Sequence, residues 1–161
     1  MYFPREILPI SVVTSAAVNF LISTIIILAF VIISGMGISW VIVFYPLVLI
    51  VQYLFSLGIS FIVSSLTVYL RDLEHLIGIA IMLLFYATPI VYSLSTMNDK
   101  YARILKLNPM AHVVEAYRAI FYYHTMPDLK SLGIICVCSI VLCILGYMLF
   151  KKLEKRFAEE V

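Results

Sequence analysis

Residues 12–34 read VVTSAAVNFLISTIIILAFVIIS. Asn19 is the one strongly polar member, and no side chain in the stretch is charged. A helix needs about 20 apolar residues to cross ~30 Å of hydrocarbon. This stretch meets that length, so it reads as a membrane span, and the rest of the chain has to be read around it.

The same character extends outward. The chain has 161 residues, of which 64% are hydrophobic and 12% charged. A soluble domain is nearer half apolar and about a quarter charged. Several windows longer than 18 residues carry almost no charge, so we read an all-α integral membrane protein, one transmembrane domain over residues 1–161. The net charge of +2 comes without a basic stripe interleaved with aromatics, so nucleic acid is not an expected partner. The first apolar run lacks a basic n-region and a small-residue cleavage site, so no cleavable signal peptide is expected.

Four spans are predicted, at about 12–34, 40–69, 76–92 and 131–150. SGMGIS (Ser34 to Ser39) supplies a tight turn through Gly35 and Gly37. Trp40 suits a membrane interface. The second span would be about 43 Å long as a straight helix, so tilt, a kink near Pro46 or emergence into water is expected. The third is short and carries Pro89 near its end. The tail KKLEKRFAEEV is charged and reads as helical.

Between the last two spans lie two short amphipathic helices, about 98–107 and 109–123. Asn98 is the N-cap of the first, with Tyr101, Ile104 and Leu105 on one face. Asn108 caps the second, with Pro109 at its first position. Met110, Val113, Val114, Tyr117, Ile120 and Phe121 form its apolar stripe.

YLRDLEH (Tyr69 to His75) places Arg71, Asp72, Glu74 and His75 between apolar runs. Three charges at mid-membrane would cost about 8–10 kcal/mol on insertion scales, so the stretch marks a water boundary. It reads as a tight, partly helical elbow in which Arg71 can meet Glu74 or His75. Lys151, Lys152, Lys155 and Arg156 directly follow the last span, and the positive-inside rule puts them in the cytoplasm. Both termini, Arg5 and the elbow then share that side. The bias is narrow, because Lys100, Arg103, Lys106, Arg118 and Lys130 fall opposite.

Much chemistry is missing. No G-x-x-x-x-G-K-[ST] loop is present, so ATP is not bound in the P-loop manner, and there is no H-E-x-x-H, G-x-S-x-G or C-x-x-C. Cys136, Cys138 and Cys143 read as apolar fillers, and His75, His112 and His124 are scattered. No metal site or catalytic residue is expected. The absence of mid-depth charge argues against a transporter powered by a buried carboxylate.

What the spans do carry is aromatic: Tyr45, Tyr53, Phe55, Phe61, Phe85 and Tyr86, with Tyr92, Tyr117, Phe121, Tyr122 and Tyr123 near the outer face. Two readings stay open. The rings anchor the chain in lipid and pack helices, or they form a stacking track for the apolar faces of sugar rings.

Three stretches, in order, resemble one family. YFPREILPI from Tyr2 with the span after it, YLRDLEHLIGIAIMLLFYATPIVYSL, and LNPMAHVVEAYRAIFY are similar to segments of the permeases of type-2 ABC exporters for polysaccharides such as O-antigen, teichoic acid and capsule. The resemblance covers nearly the whole chain. It implies the C-terminal two thirds of a six-span permease, so the chain is expected to be a fragment or to have a misassigned start.

It further implies a second permease copy as a homodimer partner, a separate ABC ATPase subunit that binds the ATP, and a lipid-linked polysaccharide cargo, in a bacterial cytoplasmic membrane. Phe3, Pro4, Arg5 and Glu6, and Arg71, Asp72, Leu73, Glu74 and His75, would be cytoplasmic elements near the ATPase. The helices between Asn98 and Tyr123 would be outer gate helices. Tyr53, Phe85, Tyr86, Tyr92, Tyr117, Phe121 and Tyr122 are the channel or gate candidates.

The alternatives are a drug or lipid cargo for a permease of this class, or a four-span structural or enzymatic membrane protein. A solvated turn joining two spans is the bland reading of YLRDLEH.

Overall fold

The computed structural model describes residues 4–90 and 92–159. Those residues contain helices and turns and no strand. A chain this apolar has one economical solution in lipid, because a helix satisfies its backbone hydrogen bonds internally.

Helix α1 spans Ile7–Ile33. The glycine turn follows as expected, with Gly35 at φ 76° and Gly37 at φ 72°, the left-handed region that glycine enters at no steric cost. The predicted second span divides into a 3₁₀ turn at Trp40–Phe44 and helix α2, Tyr45–Tyr69. Pro46 therefore sits in the first turn of α2 rather than inside a continuous helix, where its missing N–H costs nothing.

Helix α3 runs Leu73–Ala87. The chain leaves it at Thr88, which is extended (φ −91°, ψ 131°) as a residue before proline prefers to be. Fifteen residues make about 22 Å, and the reading of this span out to residue 92 overshoots the helix. Two short helices follow, α4 at Asp99–Leu105 and α5 at Pro109–Arg118. The latter widens into a π-turn, Ala119–Tyr123, closed by His124 at φ 52°. Helix α6, Leu129–Glu159, carries the charged tail as a continuous extension.

Among the described residues, three helical stretches are long and apolar enough to cross a membrane: Ile7–Ile33, Trp40–Tyr69 and Leu129–Arg156. Helix α3 is the shorter apolar one.

Helices α2 and α6 form the principal packing unit. Their contacts advance together along both chains, since Val48 clusters with Leu132, Gly58 faces Gly146 and Phe61 stacks against Phe150. The two helices are therefore parallel. A Cβ on Gly58 would lie 2.9 Å from the Cys143 backbone nitrogen, and one on Gly146 would lie 2.8 Å from the Gly58 carbonyl oxygen. Small residues let membrane helices approach this closely. Ser65 and Ser139 are also buried, their hydroxyls turned back on the Ile62 and Ile135 carbonyls.

Helix α1 runs antiparallel to α2. Thr24 meets the Tyr45 hydroxyl at 2.6 Å and Thr14 meets the Tyr53 hydroxyl at 3.0 Å. At the Trp40 end, the core gathers Val41, Val48, Val113, Ala116, Ile120 and Leu132, so α5 caps the α2–α6 pair.

Candidate functional site

Glu6, Arg71, Asp72, Glu74 and the tail cations from Lys151 lie at the end opposite Trp40. Pro4 and Arg5 begin a turn whose carbonyls accept from the Ile7 and Leu8 amides at 3.2 Å each, and this turn delivers Glu6 to α6. The Lys151 ammonium lies 3.0 Å from the Glu6 carboxylate, and 4.0 Å from Glu154 one turn on. Lys151 also sits over the Tyr147 ring at 5.7 Å. The Lys151 ammonium beside the Glu6 carboxyl holds it below the ordinary glutamate range. Among the expected site residues Phe3 lies outside the described residues.

The second elbow occupies the same end. Arg5 and Val68 line one small cavity of about 50 Å³ with Ser65, Phe150, Leu153 and Glu154, and Val68 is one turn before Arg71. Leu70 is extended, and the Leu73 amide reaches back to the Leu70 carbonyl at 3.0 Å. Arg71, Asp72, Glu74 and His75 are exposed, with Leu73 half-buried. Among the described residues no ion pair or side-chain hydrogen bond joins Arg71 to Glu74 or His75, contrary to the sequence reading. In so exposed a turn, pairing two long side chains gains little over solvating them.

The aromatic candidates divide among several places. Tyr117 and Phe121 enter a cluster with Phe20 and Tyr45, with centroid separations of 5.4 to 5.8 Å. The Tyr117 hydroxyl donates to Gln52 Oε1 at 2.6 Å, tying α5 to α2. Tyr53 lines a groove of about 220 Å³ between α1 and α2, together with Phe20 and Gln52. Phe85 and Tyr86 pack edge to face at 5.7 Å on the exposed surface of α3. The Tyr92 hydroxyl donates to the Tyr86 carbonyl at 2.8 Å. Tyr122 is exposed beside Tyr123, with the rings 5.1 Å apart.

The sequence reading left two contributors without a role. One is Gln52, the polar partner of Tyr117. The other is Arg118, placed off the stripe of α5 by its spacing, which bonds Glu115 at 2.8 Å and the Pro89 carbonyl at 2.8 Å. Asn108 does cap α5 as its sequence context predicts, accepting from the Met110 amide at 3.0 Å. Asn98 supplies the extended backbone at the start of α4 without a side-chain cap bond. Among the described residues, His, Cys, Asp and Glu side chains nowhere gather in threes as a metal ion requires.

An apolar helical bundle with two polar elbows at one end and short helices over the other defines a membrane-spanning protein. The sequence profile of the ABC-2 type transporter family matches residues 1–122, and the chain belongs to that family. It is 36% identical over 161 residues to the O-antigen export system permease protein RfbA of Myxococcus xanthus, covering 99% of this chain and 62% of that protein. Two proteins of the same name from Klebsiella pneumoniae are 36% and 35% identical over 159 residues, covering 98% of this chain and 61% of each. The chain spans about three fifths of the length of these curated relatives.

Proposed function

We propose that this chain is the membrane-spanning portion of a permease subunit in an ATP-driven exporter that moves lipid-linked polysaccharide across the cytoplasmic membrane. The observation that carries the reading is the likeness to O-antigen export permeases along 98–99% of the chain, within a family matched over residues 1–122. The sequence has no nucleotide-binding loop, which supports ATP binding on a separate ATPase subunit. A second copy of the permease completes the channel in this proposal.

The Glu6–Lys151 ion pair supports four crossings. A contact between the start of α1 and the tail of α6 fits both lying on one side, with an even number of crossings between them. Helices α1, α2 and α6 supply three. Helix α3, extended by the non-helical residues after Ala87, supplies the fourth. The positive-inside rule makes the paired side the cytoplasmic one, so both ends of the described bundle face the ATPase. The exposed Arg71 and Asp72 then face the same partner, and their lack of internal ion pairs suits residues that bond across an interface.

The mechanism is mechanical. Closure of the ATPase pair pushes the two elbows, and the helices attached to them shift to open a path. The test is Arg71→Ala with Asp72→Ala in the full-length permease, assembled with its ATPase. Export and permease-coupled ATP hydrolysis are expected to fall while membrane insertion stays intact. Normal export by this variant would remove the coupling role.

A further inference from the structure

Helix α3 has two unlike ends and nothing between them. None of its residues is buried, and Leu76, Ile79, Met82 and Tyr86 are each 59% to 65% exposed. At one end it joins α2 through the exposed turn at Leu70–Asp72. At the other end the Leu84 and Tyr86 carbonyls, the Thr88 hydroxyl and the carbonyls just beyond the helix all have partners.

The last carbonyls of any helix lack partners within it, and in an apolar setting each needs a donor. Here the Thr88 amide and hydroxyl both reach the Leu84 carbonyl at 2.8 Å, and Tyr92 serves Tyr86. The remaining donors come from α5. Asn108 bonds Thr88 Oγ1 through Nδ2 at 3.0 Å while its Oδ1 caps α5. Arg118 does more. Its Nη2 donates to the Pro89 carbonyl at 2.8 Å and reaches the Ile90 and Tyr92 carbonyls at 3.3 and 3.4 Å. Its Nη1 donates to Glu115 at 2.8 Å. One planar guanidinium thus spans a carboxylate on α5 and the chain leaving α3, a geometry that a lysine's single point charge cannot reproduce. Pro89 is buried beneath it.

We propose that Arg118 is a positioning residue that makes the Thr88 end of α3 and the α5 helix one mechanical unit, so that a displacement of α3 is passed to α5. A lever anchored only at its ends transmits motion through those anchors. The elbow is one anchor and the Arg118 clamp is the other. The consequence for export rests on the proposed exporter reading, whereas the clamp itself does not.

The test uses the full-length permease with its ATPase in lipid nanodiscs, with spin labels at Met82 on α3 and Leu107 just before α5, positions 62% and 83% exposed. At rest, the unsubstituted protein is expected to give one narrow distance distribution, R118Q a broad one and R118K an intermediate one. If R118Q fails to fold, E115Q leaves the arginine in place without its orienting carboxylate and is expected to broaden the distribution less than R118K. A distribution equally narrow in every variant that folds overturns the clamp.

On nucleotide binding, a second label pair, Met82 with Val137 on α6, should change distance while Met82–Leu107 stays fixed. In R118Q, Met82–Leu107 should change too, with export reduced about tenfold and ATP hydrolysis within about twofold of normal. A merely static brace would not separate those two activities. A Met82–Leu107 distance that moves in the unsubstituted protein overturns the single unit. An unmoved Met82–Val137 distance there counts against ATP-driven displacement of α3, and so against the exporter mechanism, while the resting distributions still decide the clamp.

Discussion

The α2–α6 pair and helix α3 are made of similar residues and are held in opposite ways. Helices α2 and α6 touch backbone to backbone through Gly58 and Gly146, whereas α3 buries none of its side chains. In water the second arrangement would be ruinous. In hydrocarbon a leucine facing lipid costs no more than a leucine facing another helix. Helix formation is driven there by backbone satisfaction, and packing is decided separately by small residues and specific hydrogen bonds. The contrast divides the molecule into a fixed seam and a rod held by its ends.

The contrast can be broken most directly at the seam. Gly146→Leu forces side-chain atoms toward the Gly58 carbonyl and is expected to cost about 3 kcal/mol, read as a lowered midpoint in detergent denaturation. An unchanged midpoint would mean that the two helices do not need their close approach. Next comes the link from α5 to the seam. Tyr117→Phe removes the 2.6 Å bond to Gln52 and should cost about 1 kcal/mol, measured in the same way.

A smaller, pH-dependent effect belongs to the Glu6–Lys151 pair. The folded-state pKa of Glu6 is depressed, so its stabilisation is present above the ordinary glutamate pKa and fades as pH falls through the lower folded-state value. The melting temperature should decline over that acid window, and Glu6→Gln should flatten this part of the profile. An unaltered acid profile in Glu6→Gln would show that the pair does not contribute. Smallest is α3 itself. Leu83 is 65% exposed, so Leu83→Ala should move stability by less than about 0.5 kcal/mol in the isolated protein. A larger loss seen only in the assembly proposed above would show that α3 gains a seat there.

The three long apolar helices were legible because hydrocarbon imposes a length and a composition that no other setting asks for. The Asn108–Pro109 helix start was legible because cap chemistry is local. The span was read out to Tyr92 because the apolar run continues that far, whereas the helix itself stops at Ala87, where Pro89 holds Thr88 out of helical conformation. The seam could not be read, because Gly58 and Gly146 become informative only once their helices are paired. Arg118 was missed for a related reason. Its partners are backbone carbonyls, which every residue possesses and no sequence pattern advertises. The elbows were found as charge against an apolar background, yet the expected Arg71 pairing within the turn is not made, since exposure removes the reason for it.

The parallel course of α2 and α6 also bears on how the molecule is made. Neighbouring helices joined by a short loop are antiparallel and can close as soon as both have emerged, as α1 and α2 can. Two parallel helices need a long excursion between them. Gly58 leaves the ribosome about ninety residues ahead of Gly146, an interval on the order of ten seconds at ordinary rates of synthesis. For that time the small-residue face of α2 has only lipid or the insertion machinery beside it. Assembly of this bundle ends, rather than begins, with its tightest contact.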